Sequence, residues 1–146
     1  MSSRPAATRV TTIACMRYQD ASKAIDFLCS AFGFERQLVV PGAGNEIMHA
    51  QLTFGNGMIM LGTDREDDFG KLMTTPTQVD NRCTQSLYVI VQDADAHHDQ
   101  AVAAGAQVLV PLKDEDYGGR GYTCRDLEGH VWTFGTYDPW AEVTPS

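Results

Sequence analysis

The chain has no run of about 18 apolar residues, the length that a membrane-crossing helix requires. Its start, Met1 to Arg9, lacks the apolar stretch of a secretory leader and reads as a short flexible tail. Basic residues are scarce: 11 Lys and Arg stand against 19 Asp and Glu, for a net charge of −8. No local cluster of cations offsets that excess, which speaks against a nucleic-acid partner and against an anionic membrane surface. There is no C-x-x-C pair. The four cysteines, Cys15, Cys29, Cys83 and Cys124, are scattered, a pattern of reduced thiols that fits a cytoplasmic location. The Gly-x-Ser-x-Gly elbow, the G-x-G-x-x-G turn and the phosphate-binding P-loop are all missing, and no cysteine has a sequence-evident histidine partner. What is present suits one domain with a sizeable core: 146 residues, 43% hydrophobic and 21% charged.

The chain repeats itself. Tyr18-Gln19-Asp20-Ala21 is echoed 73 residues on by Val91-Gln92-Asp93-Ala94, and a step of 72 separates Gly33 from Gly105. Phe54-Gly55-Asn56-Gly57-Met58 is echoed, at that step again, by Asp126-Leu127-Glu128-Gly129-His130. In the first copy, β-branched and apolar residues predict a strand over 11–18. Asp20 is a good N-cap, because its carboxylate can accept the first unpaired N–H groups of a helix. Ala21, Ala24, Ile25, Leu28 and Phe32 then recur at helical spacing, and Gly33 can adopt the left-handed conformation that ends the helix. Strands follow over 34–40, 47–54 and 58–62, the last two joined by a Gly55-Asn56-Gly57 hairpin signal. The second copy predicts a strand over 86–91, a helix over 94–104 capped by Asp93, a strand over 108–111, and a final hairpin of 122–125 and 130–135. Asp126 suits an Asx turn in that hairpin, and Gly129 a positive φ.

The unit is therefore β-α-β-β-β, present twice: an N-terminal tail at 1–9, a first module at 10–62, a polar linker at 63–82, a second module at 83–138 and a C-terminal tail at 139–146. The fold class is α+β. A four-stranded sheet with a helix on one face leaves its other face uncovered. Two such sheets can curve into a cup with the helices outside and alternate strand residues lining the hollow.

The stretch Tyr117-Gly118-Gly119-Arg120-Gly121-Tyr122, followed by Arg125-Asp126-Leu127-Glu128-Gly129-His130-Val131-Trp132, is similar to the closing pattern of the vicinal oxygen chelate superfamily. This is the glyoxalase, bleomycin-resistance and extradiol dioxygenase superfamily. Arg17 to Ala21 with Phe32-Gly33-Phe34, and Val91 to Ala96 with Ala103 to Ala106, carry the same resemblance over roughly residues 10–138. Leu127 stands where the family often has proline. The resemblance implies paired βαβββ modules and a homodimer. It does not imply one reaction, since members isomerise, open rings, epimerise, inactivate antibiotics or only bind them in antibiotic resistance.

Catalytic members hold a divalent metal with His, Glu or Gln on the inner strands. Counted from the caps and hairpin glycines, the corresponding positions here are Ile13, Leu61, Ser86 and Thr133, none a strong ligand. A register shifted by one residue adds only Gln85. No metal and no cofactor are therefore expected. His49 and Gln51 lie two apart on one strand and share a face. They read either as polar anchors in the cavity, with a weaker claim as metal ligands, or as a hydrogen-bonded pair at a sheet edge. Arg120 and Tyr122 read as a cation and a phenol at the cavity mouth, with the alternative that Arg120 pairs with a neighbouring acid. If Thr133 faces the cup, Ser86 and Tyr88 do so too, as do Cys15 and Arg17 on the first module, while Trp132 and Phe134 pack against the helices. A buried Arg17 would need an anion, which a ligand could supply. Of the adjacent His97 and His98, the repeat aligns His98 with Ile25 and so places it under the sheet.

The expected ligand-binding residues are thus Arg17, His49, Gln51, Ser86, Tyr88, Arg120, Tyr122 and Thr133. The expected function is metal-free binding or sequestration of a small molecule, aromatic or cationic in part, in the cup between the modules. The alternative is a metal-dependent glyoxalase-like lyase or isomerase that uses His49, Gln51 and Glu46.

Overall fold

The computed structural model describes residues 10–141; the expectations for residues 1–9 and 142–146 lie outside the described residues. The first copy forms β1 (Ala14–Tyr18), α1 (Ala21–Phe32), β2 (Glu35–Pro41), β3 (Ile47–Phe54) and β4 (Gly57–Thr63). The second forms β5 (Leu87–Ile90), α2 (Ala94–Ala103), β6 (Gln107–Asp114), β7 (Arg120–Arg125) and β8 (Val131–Gly135). Each copy makes its own four-stranded sheet, ordered β1-β4-β3-β2 and β5-β8-β7-β6. In each, the first strand runs parallel to the last and the remaining pairs are antiparallel. The βαβββ repeat and its fold class are as the sequence predicts. Among the described residues no helix is long and apolar enough to cross a membrane.

Local chemistry accounts for the element ends. Asp20 accepts the Lys23 N–H at 3.1 Å and Asp93 accepts that of Ala96 at 3.0 Å, so both helices start on a carboxylate cap. Gly33 ends α1 at φ 85°, a conformation that costs a side chain strain and glycine none. Asp126 Oδ1 accepts the N–H groups of Glu128 (3.0 Å) and His130 (3.1 Å), the Asx turn that folds β7 back into β8. Strand β6 is longer than the predicted 108–111. It passes through Pro111 because it is an edge strand, where a missing N–H disturbs no ladder.

Each sheet alternates. Toward the helices point Met16, Tyr18, Ala50, Leu52, Ile59 and Leu61 in the first sheet, and Tyr122, Cys124, Trp132 and Phe134 in the second; all are buried. These two apolar faces, with α1 and α2 packed on each other, form one continuous core. The ring of Phe32 at the end of α1 lies 5.3 Å from Trp132 and 4.6 Å from Phe134, so a first-module helix seals the second-module sheet. His97 fills the same seam. Its Nε2 donates to the Phe32 carbonyl (2.9 Å), which leaves Nδ1 to accept from the Tyr122 hydroxyl (2.6 Å). The inward histidine is thus His97 and not His98. The repeat alignment misses it by one position, whereas His98 packs its ring edge-on against Tyr122 at 5.0 Å, partly exposed and bonded to Asp99.

At the other end of the seam, Tyr18 donates to Asp126 Oδ2 at 2.6 Å and the Trp132 indole N–H donates to the same oxygen at 3.0 Å. Glu128 accepts the N–H groups of Gln19 (2.6 Å) and Asp20 (2.8 Å), which brings a negative charge to the N-terminus of α1. His130 Nε2 donates to the Arg17 carbonyl at 3.1 Å.

Candidate functional site

With both apolar faces turned to the shared core, each sheet's opposite face is open. On the first, cross-strand pairs set Cys15 beside Met60 and Met60 beside Gln51, with His49 and Arg17 on the same side. On the second, Tyr88 pairs with Thr133 and Thr133 with Thr123, and Gly135 pairs with both Ile90 and Gly121. Within one chain the two faces carry separate hollows, one lined by Cys15, Arg17, His49, Met60 and Phe69 among others, the other by Tyr88, Tyr117, Tyr137 and Pro139.

The first hollow is small, about 140 Å³. Arg17 forms its floor and is buried. The anion that such a cation needs comes from the linker: Asp67 lies 3.4 Å from its guanidinium, which also donates to the Thr63 carbonyl at 3.0 Å and lies 5.1 Å from the Phe69 ring centre. Asp67 also binds Arg65 at 3.0 Å and accepts the Gly70 N–H at 2.6 Å. That N–H first, and then the Arg17 and Arg65 cations, hold its carboxyl below the usual range. Gly70 permits the strap, since a Cβ there would stand 1.8 Å from the Arg65 carbonyl oxygen. His49 Nε2 lies 2.8 Å from Gln51 Oε1, and Gln51 in turn donates to Gln37. The pair faces the open side and satisfies itself.

The second hollow is larger, about 360 Å³. Tyr88 lies across β8, its hydroxyl donating to the Tyr137 carbonyl at 2.7 Å. Only glycine at 135 allows this, because a Cβ there would meet the Tyr88 oxygen at 2.8 Å. Tyr117 and Tyr137 meet edge to face with ring centres 4.9 Å apart. Gly119, at φ 78° and with no room for a Cβ against Tyr137, makes the turn that brings them together. Burial raises the pKa of Tyr88, and the neighbouring Tyr117, Tyr137, Asp138 and Glu115 push it further the same way. The sequence reading selected Tyr88 but missed Tyr117 and Tyr137. The available signal was a pair of tyrosines flanking a Gly-Gly turn and the exit of the last strand.

The remaining expected residues scatter. Ser86 is exposed just before β5. Thr133 faces the open side, where its hydroxyl is bonded to that of Thr123 at 2.8 Å. Arg120 stands at neither hollow's lining. It is bound to Asp95 (3.1 Å) and Asp114 (3.4 Å), and its hydrogen bond holds the Asp95 carboxyl below the usual range. Tyr122 belongs to the core rather than to a cavity mouth: its side chain shares a face with Phe134 and its hydroxyl meets His97. Arg125, not singled out from the sequence, lies on the second open face with a buried Nε that has no hydrogen-bond partner.

The positions expected to hold a divalent metal in catalytic relatives do not fit one. Leu61 turns into the core, leaving Met60 and Gly62 on the open face, and Ser86 and Thr133 offer only hydroxyls. Among the described residues no three His, Cys, Asp or Glu side chains come together.

Comparison with known proteins gives this architecture a lineage. The chain is 34% identical over 116 residues to an uncharacterised protein of Mycobacterium bovis, covering 80% of this chain and 76% of that one. It is equally close to one from Mycobacterium tuberculosis, covering 68% of that protein. Among solved structures, TioX from Micromonospora sp. ML1 is 32% identical and superposes with a TM-score of 0.68 over 92% of this chain and 100% of TioX. The fosfomycin resistance protein FosX from Listeria monocytogenes shares the fold at 13% identity, with a TM-score of 0.65 over 89% of this chain and 91% of FosX. The model of the Glyoxalase/Bleomycin resistance protein/Dioxygenase superfamily matches residues 9–134. The duplicated modules and the residues that build them place the chain in that superfamily.

Proposed function

We propose that this protein binds a small organic molecule on the open faces of its sheets, without a metal, and sequesters rather than transforms it. The observation that carries the reading is the hollow of about 360 Å³ walled by three tyrosines and a proline, on a face that also carries the hydroxyls of Thr123 and Thr133. Such a surface buries a ring well, and it lacks a placed general base or nucleophile next to an electrophile. Of the three residues that the catalytic alternative would bring together, His49 and Gln51 are bonded to each other. We read the binding unit as a homodimer in the cytoplasm. Leu38, Val40, Tyr88, Ile90 and Val110 expose apolar surface on the open faces, and a second copy would cover it while closing each hollow into a cup.

The test is amide chemical-shift mapping of the full chain with a panel of aromatic probes of different charge, before and after exhaustive chelation. The expected result is saturable shifts at Tyr88, Tyr117 and Tyr137, unchanged by the chelator. Gly135→Ala, whose Cβ would displace Tyr88, should weaken them while far-ultraviolet circular dichroism stays native. Absence of saturable shifts with every probe, or a stoichiometric divalent metal in the purified protein, overturns the reading.

A further inference from the structure

We infer that the tyrosine hollow of the second sheet is an aromatic cage for an organic cation, an alkylated ammonium or a protonated aryl amine. This deepens the binding reading above and rests on it. Three tyrosines line the hollow, and a tyrosine ring attracts a cation seated over its face within about 6 Å of the ring centre. Tyr117 and Tyr137 meet edge to face, so their faces point in different directions, as a cage requires and a stacked pair would not provide. Tyr117 is 61% exposed and is not among the residues assigned above to the dimer face, so its ring is available to a ligand.

The rim charge matches. Tyr117 follows Glu115 and Asp116, on a turn closed by the Gly118 N–H donating to the Glu115 carbonyl at 3.0 Å, and Tyr137 is followed by Asp138. Among the described residues neither Asp116 nor Asp138 has a cationic partner. Lys113 is held 3.9 Å from Glu115, and Arg120 is spent on Asp95 and Asp114. The other cation of this face, Arg125, sits four residues along β7 from Gly121, roughly 13 Å away at the usual strand rise. An anionic or neutral ring would gain nothing from the carboxylates. A cationic one would gain from both the rings and the net charge of −8.

The experiment titrates the full chain with benzyltrimethylammonium, benzyl alcohol and phenylacetate by the same amide-shift mapping. The cation should bind roughly tenfold tighter than the alcohol, and phenylacetate weakest. Tyr117→Ala should cost the cation about tenfold and the alcohol little, while Tyr117→Phe, which keeps the ring, should restore cation binding; Tyr117 is exposed, so neither change threatens the fold. Equal affinity for the three probes, tighter binding of phenylacetate, or failure of Tyr117→Phe to restore binding overturns the cage and leaves small-molecule binding standing. Silence with every probe overturns the underlying reading as well.

Discussion

Asp126→Asn is the sharpest test of how the two modules are joined. The carboxylate is 7% exposed and serves four donors: Glu128 and His130 N–H on Oδ1, Tyr18 hydroxyl and Trp132 indole on Oδ2. Asparagine has one oxygen. Whichever way the amide turns, two donors lose their acceptor and meet an NH2 group. Two hydrogen bonds to a charged group, at about 1.5 kcal/mol each, give about 3 kcal/mol, and the two stranded donors add roughly 1 to 2 kcal/mol more. We expect urea denaturation to show a loss of about 4 kcal/mol, and Tm to fall by about 8 to 16 °C. Tyr18→Phe removes a single bond and should cost about 1.5 kcal/mol. The double variant should lose less than the sum, because the amide NH2 can occupy the place the hydroxyl left. A loss below about 1 kcal/mol for Asp126→Asn, or strict additivity, would refute this account of the junction.

Two further outcomes concern pH. Burial pushes the Cys124 thiol up to about 12, well above the ordinary thiol range. The native state therefore keeps a proton that the unfolded chain gives up. That stabilisation is complete below about pH 9 and drains away toward pH 12 at about 1.4 kcal/mol per unit, with buried Tyr18 adding to the loss from about pH 10 upward. Urea titrations at stepped alkaline pH should show Cys124→Ala with a shallower decline, and an unchanged slope would count against it. In acid the sign reverses for His97, whose pKa burial lowers although its bond to the Phe32 carbonyl opposes the shift. The unfolded imidazole takes up a proton first, so stability should fall as pH drops below about 6.5, and His97→Gln should lose that acid dependence in the same assay.

Much of the scaffold was legible because it is written in local rules. Asp20, Asp93, Gly33, Gly55 and Gly129 act through their own backbone neighbours, and strand alternation placed Trp132 inward and Thr133 outward without knowledge of the partner strand. What escaped depends on contacts distant in sequence. Tyr122 looked like a cavity residue because its polar tip is visible in the sequence and His97, which satisfies it, is not. Arg17 seemed to await a ligand because the strap that carries Asp67 lies in a linker without periodicity. The tyrosine hollow needs Gly119 and Gly135 as empty space, and an absent side chain leaves no periodic trace. Leu61 failed by one residue of register, which on a strand exchanges inside for outside.

The seam sealed by Phe32, His97 and Trp132 has a further consequence. Neither half of the duplicated chain owns its interior: cut apart in the linker, the N-terminal fragment would bare Phe32 and the C-terminal fragment would bare Trp132 and Phe134 to water. The shared core predicts that the two copies melt as a single cooperative body, so that a change loosening one copy is felt by the other.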